Sequence, residues 1–231
     1  MFYINALLTN VNKTIFEYNR CMIKAILFDM DGTLVDTEGT DRAVAITMCK
    51  ELGFDLADEE EAQRHGKTTK SFYEYLAKKR GLDFTMQKII EKHLALFEEE
   101  LKKGAKAFEG AKELPKFLKD NGYKLALVSS STKPQIEINL NYLGIKRNFD
   151  VIVSADDITK SKPDPQGYLL AAEKLQVKPA ECAVLEDAAA GIQAGKNAGM
   201  RVIGVQNDST QDLSLADVVV ENLGEITTNM L

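Results

Sequence analysis

Short apolar runs alternate with amphipathic stretches along most of the 231-residue chain. The first run, Ile-Lys-Ala-Ile-Leu-Phe at residues 23–28, is typical of a buried strand, and the turn sequence Asp-Met-Asp-Gly-Thr ends it abruptly. After Gly104 the pattern predicts further strands that alternate with helices. The predicted strands are 124–128, 151–153, 183–185, 201–205 and 218–220, and the helices are 133–143, 168–175 and 188–198.

The stretch from about residue 41 to residue 103 has a different pattern, which is helical throughout. Its clearest element is a helix that starts at about Thr85, with an apolar face formed by Ile90, Leu94, Phe97 and Leu101. The stretch therefore reads as a helical insertion between the first strand and the rest of the sheet.

Strands joined by crossover helices predict a parallel sheet that is covered on both faces. We therefore expect an α/β protein, with a doubly wound, Rossmann-like parallel sheet and an inserted helical cap domain. The core comprises residues 22–36 and 105–231, the cap comprises residues 37–104, and residues 1–21 form an extension of unknown role. Ligands of such sheets bind beyond the carboxyl ends of the strands.

Composition narrows the possible functions. The net charge of -6 repels polyanions, so we expect no binding to nucleic acid. No apolar run reaches about 18 residues, which argues against a membrane span, and the first 20 residues make a poor signal peptide. The three cysteines, Cys21, Cys49 and Cys182, are widely spaced and are expected to be reduced thiols. These features predict a cytoplasmic protein, and we separately expect it to be a monomer.

An acid pair, Asp29 and Asp31, follows the first strand, and Gly32 allows the backbone to turn sharply there. Two like charges held together favour a cation, and Mg²⁺ takes carboxylate oxygens while sharing other positions with water and phosphate. A solvated acidic turn is the alternative. A calcium loop is excluded, because Leu34 and Thr40 stand where that motif needs Gly and Glu.

Ser129, Ser130 and Ser131 follow the second predicted strand and precede a helix that begins near Pro134. Hydroxyls and free backbone N–H groups at a helix start can bind an anion such as phosphate, although they also serve as ordinary helix caps. Lys162 lies in a proline-rich loop after the next strand, where it either points at a phosphate or is merely exposed.

A second acid pair, Glu186 and Asp187, ends the strand predicted at residues 183–185 and leads into a helix rich in small residues. These carboxylates can bind metal, cap the helix, or do both. The acid pair, hydroxyl, lysine and second acid pair each follow a different strand, so they converge on one edge of the sheet. His65 and His93 fit no such pattern, and we expect structural roles for both.

In these four motifs, Asp29-Met-Asp31-Gly-Thr33, Ser129, Lys162-Pro163 and Glu186-Asp187, the chain resembles the haloacid dehalogenase superfamily over residues 22–225. Within it, the chain is similar to the group that contains β-phosphoglucomutase and small sugar-phosphate phosphatases with a helical cap.

The resemblance implies a role for each motif. Asp29 is the nucleophile, and Asp31 protonates the leaving group and later activates water. Ser129 and Lys162 hold the phosphoryl group, with Ser130 beside them. Mg²⁺ would be bound by the Asp29 carboxylate, the Asp31 backbone carbonyl, Asp187 and, directly or through water, Glu186. Phosphoryl transfer needs in-line geometry and charge neutralisation, which this set of groups supplies.

The resemblance also implies that the cap closes over the site, with hinges near Thr37 and Gly104. The cap loop would contact the substrate through Lys67, Thr68, Thr69 and Lys70. A solvated basic turn between helices is the alternative interpretation of this loop.

Three other functions fit parts of the pattern. A phosphosugar mutase uses the same scaffold, but residues 36–42 lack the histidine that the resembling mutases have there. The arginine with which those mutases grip a second phosphate is also missing: its place falls near Thr69, and Lys67 or Lys70 is the alternative that could substitute for it. A non-enzymatic phospho-receiver would not need a lid, and a dehalogenase would not need Lys162 or the second acid pair. We therefore expect a Mg²⁺-dependent phosphatase that hydrolyses a small phosphorylated metabolite through an aspartyl-phosphate intermediate.

Overall fold

The structure of the protein, a computed structural model, describes residues 22–64 and 68–231. The predicted extension at residues 1–21, with Cys21, lies outside the described residues. So do His65, Gly66 and the predicted substrate contact Lys67.

The core is a six-stranded parallel sheet of order β3-β2-β1-β4-β5-β6, which confirms the predicted doubly wound α/β class. The central strand β1 is paired on both sides, so that Phe28 lies opposite Leu127 of β2 and Leu185 of β4. Strand order reverses at this point, which is where such sheets form a ligand crevice. The strands are β1 (Ala25–Phe28), β2 (Lys124–Val128), β3 (Val151–Val153), β4 (Cys182–Glu186), β5 (Arg201–Val205) and β6 (Val218–Val220).

Helices cover both faces of the sheet because successive side chains of a strand point to opposite faces. Ile26 and Phe28 pack with the helices before and after β2, while Ala25 and Leu27 pack with those before and after β4. The helices are α1 (Glu38–Glu51), α2 (Asp58–Glu61), α3 (Thr69–Arg80), α4 (Met86–Lys102), α5 (Glu113–Asp120), α6 (Lys133–Leu143), α7 (Gln166–Leu175) and α8 (Ala189–Asn197).

Helices α1 to α4 follow one another between residues 38 and 102, and no strand occurs among the described residues of that range. They have their own hydrophobic cluster, centred on Phe72, Tyr73 and Phe97. Two chain segments connect them to the sheet, and these segments pair with each other: the Asp36 N–H donates to the Lys106 carbonyl at 2.9 Å.

The predicted buried face of α4 is partly wrong. Its buried residues are Ile89, His93, Phe97 and Leu101, so Phe97 and Leu101 are confirmed, whereas Ile90 and Leu94 lie half-buried beside the face. The four buried positions are spaced by four residues, and one of them is the polar residue His93. The spacing signal was correct, but its centre lies one residue earlier in the first two turns.

Other boundaries shift slightly. Strand β1 begins at Ala25 rather than at residue 23, and α7 begins at Gln166 rather than at residue 168. Helix α5 was not predicted, although Leu114 and Leu118 are buried on one side of it. Across residues 22–64 and 68–231, no helix is both long and apolar enough to span a membrane.

Candidate active site

Asp29 lies directly after β1, at the centre of the sheet edge, and is 7% exposed. Its N–H donates to the Leu185 carbonyl of the neighbouring strand at 3.0 Å, which fixes the backbone at this point. Its carboxylate forms an ion pair with the Lys162 ammonium. Burial raises the pKa of Asp29 well above its usual value, and the Lys162 charge opposes that shift.

Lys162 reaches the same point from the loop after β3. Its Nζ also donates to Glu186 Oε1 at 2.5 Å. Burial disfavours the ammonium, but the carboxylates of Asp29 and Glu186 hold the pKa of Lys162 well above its usual value. The side chain therefore carries a positive charge in the middle of an acidic cluster.

Glu186 is buried, and both of its carboxylate oxygens accept hydrogen bonds from protein groups. Besides Lys162, Oε1 accepts from the Tyr168 hydroxyl at 3.1 Å, and Oε2 accepts from the Ala188 N–H at 2.9 Å. This carboxylate orients Lys162 and accepts from the backbone N–H just before α8. The contact with the lysine was not predicted for the acid pair, for which metal binding and helix capping were expected.

Asp187 is held against the first loop. Its Oδ1 accepts from the Thr33 hydroxyl at 2.9 Å, and Gly32 makes room for it: a Cβ at position 32 would lie 2.2 Å from Asp187 Oδ2. Gly32 also has φ of +89°, which favours glycine. Burial, followed by the Glu186 charge, raises the pKa of Asp187 to about 6.

Asp29, Glu186 and Asp187 bring carboxylate oxygens within 4.8 Å of one another, and all three residues are buried. A single lysine cannot neutralise three buried carboxylates. Burial is the main cause of the raised pKa values of Asp29 and Asp187, and the charges of the neighbouring carboxylates add to it. An all-oxygen donor set of this kind suits Mg²⁺. The site therefore fits the predicted metal.

The Asp31 carboxylate has a different environment, formed by hydroxyl groups. It accepts from Thr37 Oγ1 at 2.6 Å, Ser131 Oγ at 2.9 Å and Ser129 Oγ at 3.2 Å. Burial raises the pKa of Asp31, and these hydrogen bonds oppose that rise. Among the described residues, Asp31 is not part of the group of converging carboxylates formed by Asp29, Glu186 and Asp187. A metal contact through its backbone carbonyl stays a prediction.

A cavity of about 90 Å³ lies beside Asp31, between the cap helices and the loop after β2. Thr68, Thr69 and Ser130 line it together with Ser131, whose hydroxyl reaches Asp31. Lys70 does not line it; its exposed side chain lies 3.8 Å from Glu74. Of the described residues predicted in the cap loop, the two threonines thus face the site and the lysine faces solvent.

Several residues of the site were not predicted. The Thr37 hydroxyl donates to Asp31, and the Tyr168 hydroxyl donates to Glu186. The sequence around these two residues has no motif that marks a functional site. Thr33 had a signal, because it belongs to the Asp-Met-Asp-Gly-Thr turn, but its partner Asp187 is 154 residues away in the chain. Ser131 belongs to the predicted serine run, but the run alone does not indicate its contact with Asp31.

Known proteins resemble this chain over most of its length. Residues 26–205 match the model of the haloacid dehalogenase-like hydrolase family. The chain is 35% identical to hexitol phosphatase A of Escherichia coli, over 90% of this chain and 94% of that protein. It is 34% identical to a phosphorylated carbohydrates phosphatase of Thermotoga maritima, over 79% of this chain and 85% of that protein.

A solved structure, β-phosphoglucomutase of Clostridium difficile, superimposes with a TM-score of 0.72 at 28% identity, covering 89% of this chain and 94% of that chain. The chain thus belongs to the haloacid dehalogenase-like hydrolase family. Within that family it is a phosphatase, a hydrolase of phosphoric monoesters.

Proposed function

We propose that the protein hydrolyses a small sugar or polyol phosphate with the aid of Mg²⁺, and that Asp29 carries the phosphoryl group between the two halves of the reaction. The observation that supports this most is the contrast between the two carboxylates of the first loop. Asp29 pairs with Lys162 in the metal-binding cluster, whereas Asp31 is held by hydroxyls beside the cavity. One group is thus suited to nucleophilic attack and the other to proton transfer.

In the first half, an Asp29 carboxylate oxygen attacks phosphorus and the bond from phosphorus to the ester oxygen breaks. Asp31 gives a proton to that oxygen, so the leaving group departs as a neutral alcohol. Lys162 and the hydroxyl of Ser129 hold the phosphoryl oxygens, and Ser130 lies at the same loop. The positive charge of Lys162 opposes the negative charge of the group in transfer.

In the second half, water attacks phosphorus while Asp31 takes a proton from it. The bond between phosphorus and the Asp29 oxygen breaks, which releases inorganic phosphate and restores both carboxylates to their starting states. Asp31 can serve both steps because the cavity in which an alcohol would leave is also the space from which water would enter.

The residues that would hold Mg²⁺ are Asp29 and Asp187 through their carboxylates and Asp31 through its backbone carbonyl, with Glu186 beside them. When bound, the ion supplies positive charge that neutralises the phosphate and the carboxylate cluster during attack. Lys162 already engages Glu186, so we assign Glu186 mainly to holding that lysine.

The substrate class rests on the relatives, which are named for hexitol phosphates and phosphorylated carbohydrates. We further propose that the protein acts in the cytoplasm as a monomer. The free, buried thiols of Cys49 and Cys182 support a reducing compartment.

The proposal is tested with EDTA-treated, dialysed protein and a panel of phosphorylated sugars, polyols and nucleotides together with pyrophosphate. We expect phosphate release from sugar and polyol phosphates only after Mg²⁺ is added. Full activity in the demetallated protein would contradict the proposed requirement for Mg²⁺. A preference for nucleotides or pyrophosphate would contradict the proposed class of sugar and polyol phosphates.

A further inference from the structure

Two buried polar groups of the cap point into the cavity beside Asp31 without a protein partner. His93 is 4% exposed, and its Nε2 makes no hydrogen bond within the part of the chain that the structure describes. The same is true of Nε and Nη2 of Arg64. Both side chains line the cavity. A buried donor without an acceptor is costly, so these atoms are expected to meet one from outside the protein.

The imidazole of His93 is held in place by its neighbours. The Tyr73 hydroxyl lies 3.1 Å from Nδ1, and the ring stacks on Phe97 at a centroid distance of 6.3 Å. Asp41 Oδ1 lies 3.7 Å from Nε2, which is too far for a hydrogen bond but favours the tautomer that carries its proton on Nε2. His93 then presents a fixed N–H donor to the cavity, next to the Asp41 acceptor.

This arrangement favours a particular kind of ligand. Arg64 brings one positive charge to the cavity and Asp41 one negative charge, so the described lining is balanced and does not favour a second phosphate or a carboxylate. A hydroxyl group in the cavity can accept from His93 Nε2 and donate to Asp41, and it thereby bridges the two side chains. Vicinal hydroxyls could likewise accept from the two free nitrogens of Arg64.

The position of the cavity relative to Asp31 indicates which part of a substrate would enter it. Ser130 and Ser131 line its floor, and the Ser131 hydroxyl donates to the Asp31 carboxylate. The group that receives a proton from Asp31 must therefore lie at this floor, and the rest of the leaving alcohol must extend toward the cap.

The geometry points to Arg64, His93 and Asp41 as the residues that recognise the leaving group, and to an uncharged, polyhydroxylated alcohol as the group they select. The inference rests on the proposed function, because it assigns specificity within the same reaction. It departs from the sequence-based expectation for His93, which was a purely structural role.

The test compares two substrates in each variant, so that specificity is separated from catalysis. Glucitol 6-phosphate carries the hydroxyls, and acetyl phosphate lacks them. For Arg64→Met and for His93→Phe, we expect the ratio of kcat/KM for glucitol 6-phosphate to kcat/KM for acetyl phosphate to fall by about 10- to 100-fold. Lys88→Met is the control: it removes an exposed cation from helix α4, which also carries His93. This variant should keep the ratio within about twofold of wild type.

The outcomes are distinguishable. A ratio that stays unchanged in Arg64→Met overturns the inference while leaving the proposed function intact. Because Arg64 is only half-buried, this variant tests the inference even where His93→Phe is unstable. A wild-type preference for fructose 1,6-bisphosphate or 3-phosphoglycerate over glucitol 6-phosphate overturns the uncharged class. Absence of phosphate release from every substrate would instead contradict the proposed function itself.

Discussion

At the scale of single residues, the site works by giving chemically identical side chains different surroundings. Asp29 faces an ammonium and two carboxylates, whereas Asp31 faces three hydroxyls, although one residue separates them in the chain. Lys162 is the cation on which the first environment depends. Its contribution can be measured directly.

For Lys162→Ala we expect kcat to fall by about 10²–10³-fold, because the transferring phosphoryl group loses its fixed positive charge. Steady-state kinetics at saturating Mg²⁺ measures this. Lys160→Ala is the matched control, since Lys160 lies in the same loop but is 71% exposed and pairs with Asp164. Equal rates in the two variants would make Lys162 a bystander.

Gly32→Ala separates backbone strain from crowding at the metal site. Gly32 and Gly53 have nearly the same φ, +89° and +91°, but only at Gly32 would a Cβ meet Asp187. Each Ala variant should lose about 1–2 kcal/mol of stability from strain. Only Gly32→Ala should also weaken Mg²⁺ activation, by about 10- to 100-fold, because Asp187 is displaced.

Mg²⁺ titration of activity, together with urea unfolding of both variants, checks this comparison. Normal activation of Gly32→Ala by Mg²⁺ would show that the position of Asp187 is not critical for the metal.

The residues that could be predicted were those whose position follows from the sheet. Asp29, Ser129 and Glu186 each lie at the carboxyl end of a strand, and the ends of parallel strands share one edge, so their meeting follows from topology. Thr37 and Tyr168 could not be predicted in this way. Their hydroxyls reach the site from helix starts, where threonine and tyrosine have many other uses.

At the scale of elements, the cap depends on a buried ion pair that joins short helix α2 to the end of α3. Glu60 is fully buried and accepts two hydrogen bonds from Arg80, at 2.8 and 2.6 Å, and the Arg80 guanidinium lies 4.1 Å from the Phe54 ring centroid. The hydrogen bonds from Arg80 lower the pKa of Glu60 to about 2. The last turn of α3 is thereby tied to the loop that precedes α2.

Glu60→Gln should lower Tm by about 4–8 °C at pH 7, because Arg80 loses its charged partner. The pKa of Glu60 is lower in the folded state, so its contribution is fully present above the unfolded value of 4.5 and is lost as pH falls toward about 2. The Tm difference between wild type and variant should therefore shrink over that interval. Glu59→Gln, at a 76% exposed side chain, is the control.

The helices show where pattern analysis succeeds and where it does not. Strand β2 and helix α6 have the predicted bounds, because an apolar run and a Thr-Lys-Pro start mark them clearly. In α4 the spacing was found but its centre was misplaced, since His93 contributes to the buried face through a tertiary contact with Tyr73. Tertiary partners of polar side chains are not visible in periodicity.

At the scale of the whole molecule, the question is whether the phosphoryl group goes to water or to a second sugar hydroxyl. The fold resembles a mutase as well as phosphatases. Residues 36–42, which lead into the cap, contain no histidine. Within this segment, the Thr37 hydroxyl donates directly to the Asp31 carboxylate. We therefore expect Asp31 to activate water without control by a histidine of that segment.

We predict that β-glucose 1-phosphate, supplied with glucose 1,6-bisphosphate as primer, yields inorganic phosphate rather than glucose 6-phosphate. Phosphorus NMR follows both products in one sample. Glucose 6-phosphate that forms much faster than free phosphate would make the protein a mutase.

The central claim is that Asp29 carries the phosphoryl group, and trapping that species tests it most directly. In Asp31→Asn, acetyl phosphate still has a good leaving group, whereas water is no longer activated, so the phosphorylated protein should accumulate. Acid-quenched protein, incubated with Mg²⁺ and acetyl phosphate, is analysed by intact mass and by peptide mapping after borohydride reduction. The account predicts one phosphoryl group per chain, at Asp29, and none in Asp29→Asn. A phosphoryl group on any other residue would contradict it.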